Sequence, residues 1–300
     1  MTASPPAPPF HLKAPVVFVT GKGGVGKTTV AAGLAIQAAR AGQTAALVEF
    51  DDGQAGARAL GRDVSEIAHV VVIYDKALVE ALASVLGSRI LARAIVSQRA
   101  IRRMVRAVPA LREFALLERV RALAAEHKYQ RIVVDLPSSG HALDWLRVPK
   151  AFERFLGNSP LGNMGKSIHR EIVAPGRAEI VVVTLAEPLV VKETEELCRR
   201  MRSELGIAPA LVVVNRTVVA DPEGAWSAAK ELSTSEDGVG AAARELLQII
   251  EARAEQAEDT AYAFGLARAM DAGHVMSLPD TPNDPVASQV AQWLSSGASG

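Results

Sequence analysis

An α/β fold with a mostly parallel sheet, helices on both faces and an inserted helical subdomain is what this sequence predicts, and three observations predict it. Short β-branched runs alternate along the chain with longer Ala/Leu/Glu/Arg segments of helical period. The runs are continuously apolar rather than alternating, as expected of strands buried on both faces. A glycine-rich loop separates the first run from the first helical segment. No internal repeat is visible, so the architecture is present once.

Taken in order, Met1 to Pro15 is Pro/Ala-rich and reads as a loose tail, with no apolar core of signal-peptide length. One domain then spans 16–294. Its strand candidates are Val16 to Thr20, Thr44 to Phe50, Val70 to Tyr74, Arg131 to Leu136, Glu179 to Leu185, Ala210 to Asn215 and, more weakly, Val275 to Leu278. Helical segments include Thr28 to Ala41, Glu187 to Leu205 and Gly240 to Ala272. Between Lys76 and Lys128 no strand candidate occurs, which marks the inserted helical subdomain at about 76–128. Within it Ile90, Leu91, Ala94, Ile95, Ile101, Met104, Val105 and Val108 form one apolar stripe at helical spacing, opposite a face rich in arginine. Gly and Pro scattered among helical pieces over 152–176 predict a mobile connection, and 295–300 a frayed end.

The chain has 300 residues, 33 basic and 33 acidic, and is 49% hydrophobic with 4% aromatic. That excludes a disordered chain and a globally basic nucleic-acid binder as default readings. Charge is nevertheless segregated. Residues 89–131 hold 11 basic and 3 acidic side chains, and 221–284 hold 13 acidic and 4 basic. Cys198 is the single cysteine, so one chain can build neither a disulfide nor a multi-cysteine zinc site, and a reducing cytoplasm is expected. No stretch reaches the ~20 apolar residues of a spanning helix, so membrane contact is expected to be peripheral.

The strongest signal is Gly21-Lys-Gly-Gly-Val-Gly26-Lys27-Thr28-Thr29, directly after the first strand candidate. Glycines at these positions let backbone N–H groups surround phosphate oxygens, and the following helix N-terminus favours negative charge. Gly23, Gly24, Val25, Gly26 and Thr29 are therefore candidate phosphate-loop residues. Lys27 is placed to reach the β- and γ-phosphates and Thr28 to ligate Mg²⁺ directly. Asp51 and Asp135 close two further strand candidates, where open α/β sheets place their ligands. Carboxylates there suit Mg²⁺ held through water and an oriented attacking water.

Lys22, inside the glycine loop, is an addition an ordinary Walker A motif lacks. The loop resembles the deviant Walker A motif of the MinD, ParA, nitrogenase iron protein and ArsA superfamily. The resemblance implies a homodimer in which Lys22 crosses to the opposing subunit's phosphates. The run from Asp135 through Leu, Pro, Ser, Ser, Gly140 and His141 is similar to the switch II of the ArsA family, which includes arsenite-pump ATPases and ATPases that target tail-anchored membrane proteins. By that resemblance Asp135, Gly140 and His141 belong to a segment that moves when γ-phosphate is lost. Asp51-Asp52-Gly53-Gln54 stands where the family has Asp-Pro-Ala-His, keeping only the first acid, which becomes the candidate for orienting water. Asn215 matches a residue that hydrogen-bonds adenine, and Leu278-Pro279 a loop over the base. The resemblance implies ATP and Mg²⁺ as cofactors, hydrolysis through Lys22, Lys27 and Asp51, and an apolar-helix client or a peripheral membrane partner bound by the inserted helices; Cys198 alone departs from the family's Cys-x-x-Cys pair, so no zinc is expected. A positioning ATPase of the ParA/MinD type, acting on DNA or a membrane surface, is the competing reading.

Overall fold

The computed structural model describes residues 11–137, 139–222 and 224–297. Seven strands, β1 (Val16–Gly21), β2 (Ala45–Phe50), β3 (Ala68–Val72), β4 (Arg131–Asp135), β5 (Ala178–Leu185), β6 (Leu211–Thr217) and β7 (His274–Pro279), form one sheet in the order β3-β2-β4-β1-β5-β6-β7. Every pairing is parallel. The continuous apolar runs explain this, because alternate residues feed opposite cores. Val16 and Phe18 enter one cluster, Val17 and Val19 the other.

The face carrying Val17 and Val19 is covered by α1 (Lys27–Arg40), α2 (Gln54–Leu60) and α12 (Ala287–Ser296). The other is covered by α6 (Pro109–Ala125), α7 (Ser139–Leu156), α8 (Pro160–Ile168), α9 (Pro188–Leu205) and α11 (Gly238–Ala269), with α10 (Ala225–Leu232) packed on α11. Phe18, Leu47, Leu117, Ile132 and Ile180 are fully buried, each contributing about 1.5–3 kcal/mol of hydrophobic stabilisation. The strand ends therefore stand on a rigid frame. Because all strands run one way, the loops after β1, β2, β4, β6 and β7 meet along a single edge.

Between β3 and β4 lie α3 (Tyr74–Leu86), α4 (Arg89–Ser97), α5 (Arg99–Ala107) and α6. The single stripe expected over 90–108 does not form. Gln98 is extended (φ −67°, ψ 132°) and ends α4 while starting α5, so the helical phase is reset. α4 turns Ala92 and Val96 inward and leaves Ile90 83% exposed, whereas α5 buries Val105. Met104 has its side chain outside the described residues.

Two further expectations are corrected. Strand β3 begins at Ala68 and is half-buried along most of its length, because it is an edge strand, and Tyr74 already opens α3. Residues 12–14 are held rather than loose. Leu12 and Ala14 are buried, the Glu179 carboxylate accepts from the N–H groups of Lys13 and Ala14 at 2.6 and 2.8 Å, and the Arg131 guanidinium donates to the carbonyls of Leu12 and Ala14. The helical pieces expected over 152–176 are the end of α7, α8, and a π-helical turn over His169–Val173. Of the 295–300 end, 298–300 lie outside the described residues. No described helix is long and apolar enough to cross a membrane.

Candidate functional site

The loop after β1 is built by residues that have to be glycine. At Gly21 (φ +152°) a Cβ would stand 2.2 Å from the Val183 carbonyl oxygen of the neighbouring strand β5. Gly26 (φ +92°) is the left-handed cap of α1, a conformation costly for other residues. A Cβ at Gly26 would in addition stand 2.5 Å from Asn215 Nδ2.

Thr28, in the first turn of α1, and Asp135, at the end of β4, are brought together: the Thr28 hydroxyl donates to Asp135 Oδ2 at 2.5 Å. Asp135 Oδ1 is buried with no hydrogen-bond partner. An orphaned carboxylate oxygen costs free energy. Lys27 donates from Nζ to the Lys22 carbonyl at 2.8 Å, and burial holds its pKa below the usual lysine value, opposed by Asp135. The loop residues Gly23, Gly24 and Val25 connect these two lysines.

On the other side of the loop, Asn215 Nδ2 donates to the Val25 carbonyl at 2.9 Å. Asn215, Gly26, Thr29, Leu278 and Pro279 share a cavity of about 270 Å³ with the segment Asp280 to Pro285. That size and mixed lining suit one planar base. The structure therefore brings Lys27, Thr28 and Asp135 together at the phosphate loop and Thr29, Asn215, Leu278 and Pro279 around the adjoining cavity.

Two expected residues point elsewhere. Lys22 Nζ is paired with Glu193 on α9 at 2.6 Å, both side chains about half exposed. Asp51 sits in left-handed backbone (φ 71°) with its carboxylate on Arg112 of α6. Gly140 and His141 belong to the first turn of α7, their side chains lying outside the described residues.

Sequence reasoning missed Glu49. This β2 carboxylate is buried, accepts from the Gly56 N–H at 2.8 Å and contacts His69 Nε2 at 2.6 Å. A lone acid inside an apolar strand run was the available signal, since buried Glu is rare unless partnered. It anchors α2, and through α2 the loop carrying Asp51.

Residues 14–171, more than half the chain, match the model of the anion-transporting ATPase family, ArsA type. The chain belongs to the ArsA ATPase family. It is 27% identical over 226 residues to ATPase BagA of Mycobacterium tuberculosis, covering 69% of this chain and 66% of that protein. It is 26% identical over 165 residues to the arsenical pump-driving ATPase of Escherichia coli, covering 49% of this chain and 28% of that protein. The chain thus spans just under two thirds of the mycobacterial relative it matches.

In this ArsA-family chain the Asp135 carboxyl is pushed up to about 6, first by burial, against the Thr28 hydrogen bond and the Lys27 charge, with Glu49 adding to the rise. Between about pH 4 and pH 6 the folded chain keeps a proton that the unfolded chain has released, so stability is lost as pH rises through that window. Asp135→Asn is expected to remove the cost, raising the melting temperature of the ligand-free protein by about 2–4 °C at pH 8 and hardly at all at pH 4. Equal shifts at both pH values would contradict this account of Asp135.

Proposed function

We propose that the chain is a Mg²⁺-dependent ATP hydrolase that acts as a homodimer, its nucleotide state changing the shape of a partner-binding surface on the inserted helices. One observation carries the proposal: the phosphate loop stands beside a Thr28–Asp135 pair whose second carboxylate oxygen is buried and unpartnered. Those residues fit the group. Thr28 Oγ1 would ligate Mg²⁺, with Asp135 and Asp51 reaching it through water. When bound, the ion supplies charge neutralisation between the phosphate oxygens.

The chain's own groups do the rest. Lys27 exchanges the Lys22 carbonyl for phosphate oxygens. Lys22 leaves Glu193 and reaches the phosphates bound by the other subunit. Asp51, leaving Arg112, accepts a hydrogen bond from the attacking water and orients it. Asn215 and the Leu278-Pro279 loop hold the base. Cys198 is buried, its thiol pushed up to about 12 mainly by burial, and takes no part in the proposed chemistry.

Membership in the ArsA family supports this reading over the positioning-ATPase alternative, for which DNA or a membrane surface would be the partner. The apolar-helix client or peripheral membrane partner remains part of the proposal, with nucleic acid not expected.

Phosphate release from ATP, with Mg²⁺ and with chelator, tests the chemistry, and mass by light scattering with and without nucleotide tests the dimer. Metal-dependent release and a doubling of mass are expected. A monomer at every nucleotide state would overturn the dimer, and no release would overturn hydrolysis. Glu193→Gln is expected to raise the dimer fraction at limiting ATP by a factor of about 2–5, because an exposed ion pair is worth roughly 0.2–1 kcal/mol.

A further inference from the structure

Helices α3 to α6 enclose a cavity of about 330 Å³, within the range of small-ligand sites and separate from the base cleft. Its wall is of two kinds. Leu78 of α3, Val96 of α4 and Ile101 of α5 are apolar, while Tyr74, Arg102 and Arg112 are polar. Asp75 lines it as well and Asp51 is paired with Arg112, so the two arginines are balanced at rest and one positive charge is uncompensated once Asp51 leaves. The Tyr74 hydroxyl is buried without a hydrogen-bond partner, a cost that a ligand oxygen would relieve. Arg112 lies over the Tyr74 ring, 5.6 Å from its centroid, with one guanidinium N–H group held by the Asp51 carboxylate. Arg102 is steadied by a hydrogen bond from Nε to the Val96 carbonyl at 3.3 Å.

We propose that this cavity binds a small organic monoanion, a carboxylate on a compact apolar body, with Arg112, Arg102 and the Tyr74 hydroxyl on the carboxylate and Leu78, Val96 and Ile101 around the apolar part. A guanidinium matches a carboxylate in fork geometry. Arg112 shows as much already, since the group it holds is the carboxylate of Asp51. A bound carboxylate and Asp51 therefore compete for one arginine. Occupancy of the cavity releases Asp51, and by reciprocity any event that draws Asp51 away strengthens binding in the cavity. The site rests on its own lining and not on ATP hydrolysis, so the two readings fail separately.

Titration of the full, nucleotide-free chain with octanoate by calorimetry tests the site, with octan-1-ol as the uncharged control. One saturable octanoate site per chain with Kd of about 1 mM or tighter is expected for a ligand of this size, and octan-1-ol at least about tenfold weaker. Arg102→Ala should weaken octanoate by about tenfold or more, and Tyr74→Phe, which keeps the ring, by a few-fold. Asp51→Asn should tighten it by a factor of about 2–5, because Arg112 loses its competing charge. Absence of saturable octanoate binding, equal affinity for the acid and the alcohol, or indifference to both Arg102→Ala and Tyr74→Phe would overturn the site. Unchanged affinity in Asp51→Asn would overturn the competition for Arg112.

Discussion

Asp51→Asn is expected to lower phosphate release from Mg-ATP by about 10²–10³-fold while leaving nucleotide affinity nearly unchanged, and Lys22→Ala to do the same. Phosphoryl transfer is accelerated by positioned charge more than by covalent chemistry, and removing one such group commonly costs this much. Neither side chain touches the base cleft: Asp51 is on Arg112 and Lys22 on Glu193. Their loss therefore removes no contact that the resting cleft makes. Each is an exposed ion pair, worth at most about 1 kcal/mol, so little holds them against being drawn to phosphate. Single-turnover release beside equilibrium binding of a fluorescent ATP analogue separates the two quantities. Wild-type turnover in either variant would remove that residue from the chemistry, and lost binding with normal turnover per bound nucleotide would make it a ground-state contact.

The second large effect is on stability. Gly21→Ala places a Cβ 2.2 Å from the Val183 carbonyl oxygen, a backbone atom in the centre of the sheet, at φ +152°. Neither partner can turn aside, since β1 and β5 are paired through Gly21 and Val183. Strain and overpacking of this kind cost roughly 1–3 kcal/mol each, so about 3 kcal/mol or more of folding stability is expected to be lost. Gly24→Ala is the control, because a Cβ there meets nothing within 4 Å and adds only the left-handed backbone cost of about 1 kcal/mol. Denaturant midpoints for the two variants measure the difference, and similar midpoints would show that the close approach at Gly21 is relieved.

Much of this was legible in advance, for local reasons. Most strands are apolar runs whose neighbours along the chain suffice to identify them, edge strand β3 being read two residues late, and the phosphate loop is a contiguous motif between a strand and a helix. What was not legible depends on partners distant in sequence. Arg112 is 61 residues from Asp51, and nothing near either residue announces the pair. Lys22 finds Glu193 only because β5 lies beside β1 and carries the chain into α9. The apolar stripe across 90–108 failed for a different reason: periodicity was carried through Gln98, where two short helices meet. The N-terminal segment looked loose by composition, yet Arg131 and Glu179 supply the hydrogen bonds that composition cannot reveal.

The hydrogen bond from Asn215 to Val25 closes a loop of 190 residues, and Thr28 meets Asp135 across 107. On the ribosome these distances become a schedule. At about 5–20 residues per second, the interval between emergence of Val25 and of Asn215 is roughly 10–40 s. Throughout it the nascent phosphate loop lacks one wall, so cellular ATP can add little to the stability of the growing chain. The early strands must endure that wait on apolar burial alone, which places the chain's greatest exposure to chaperones and proteases before its nucleotide can protect it.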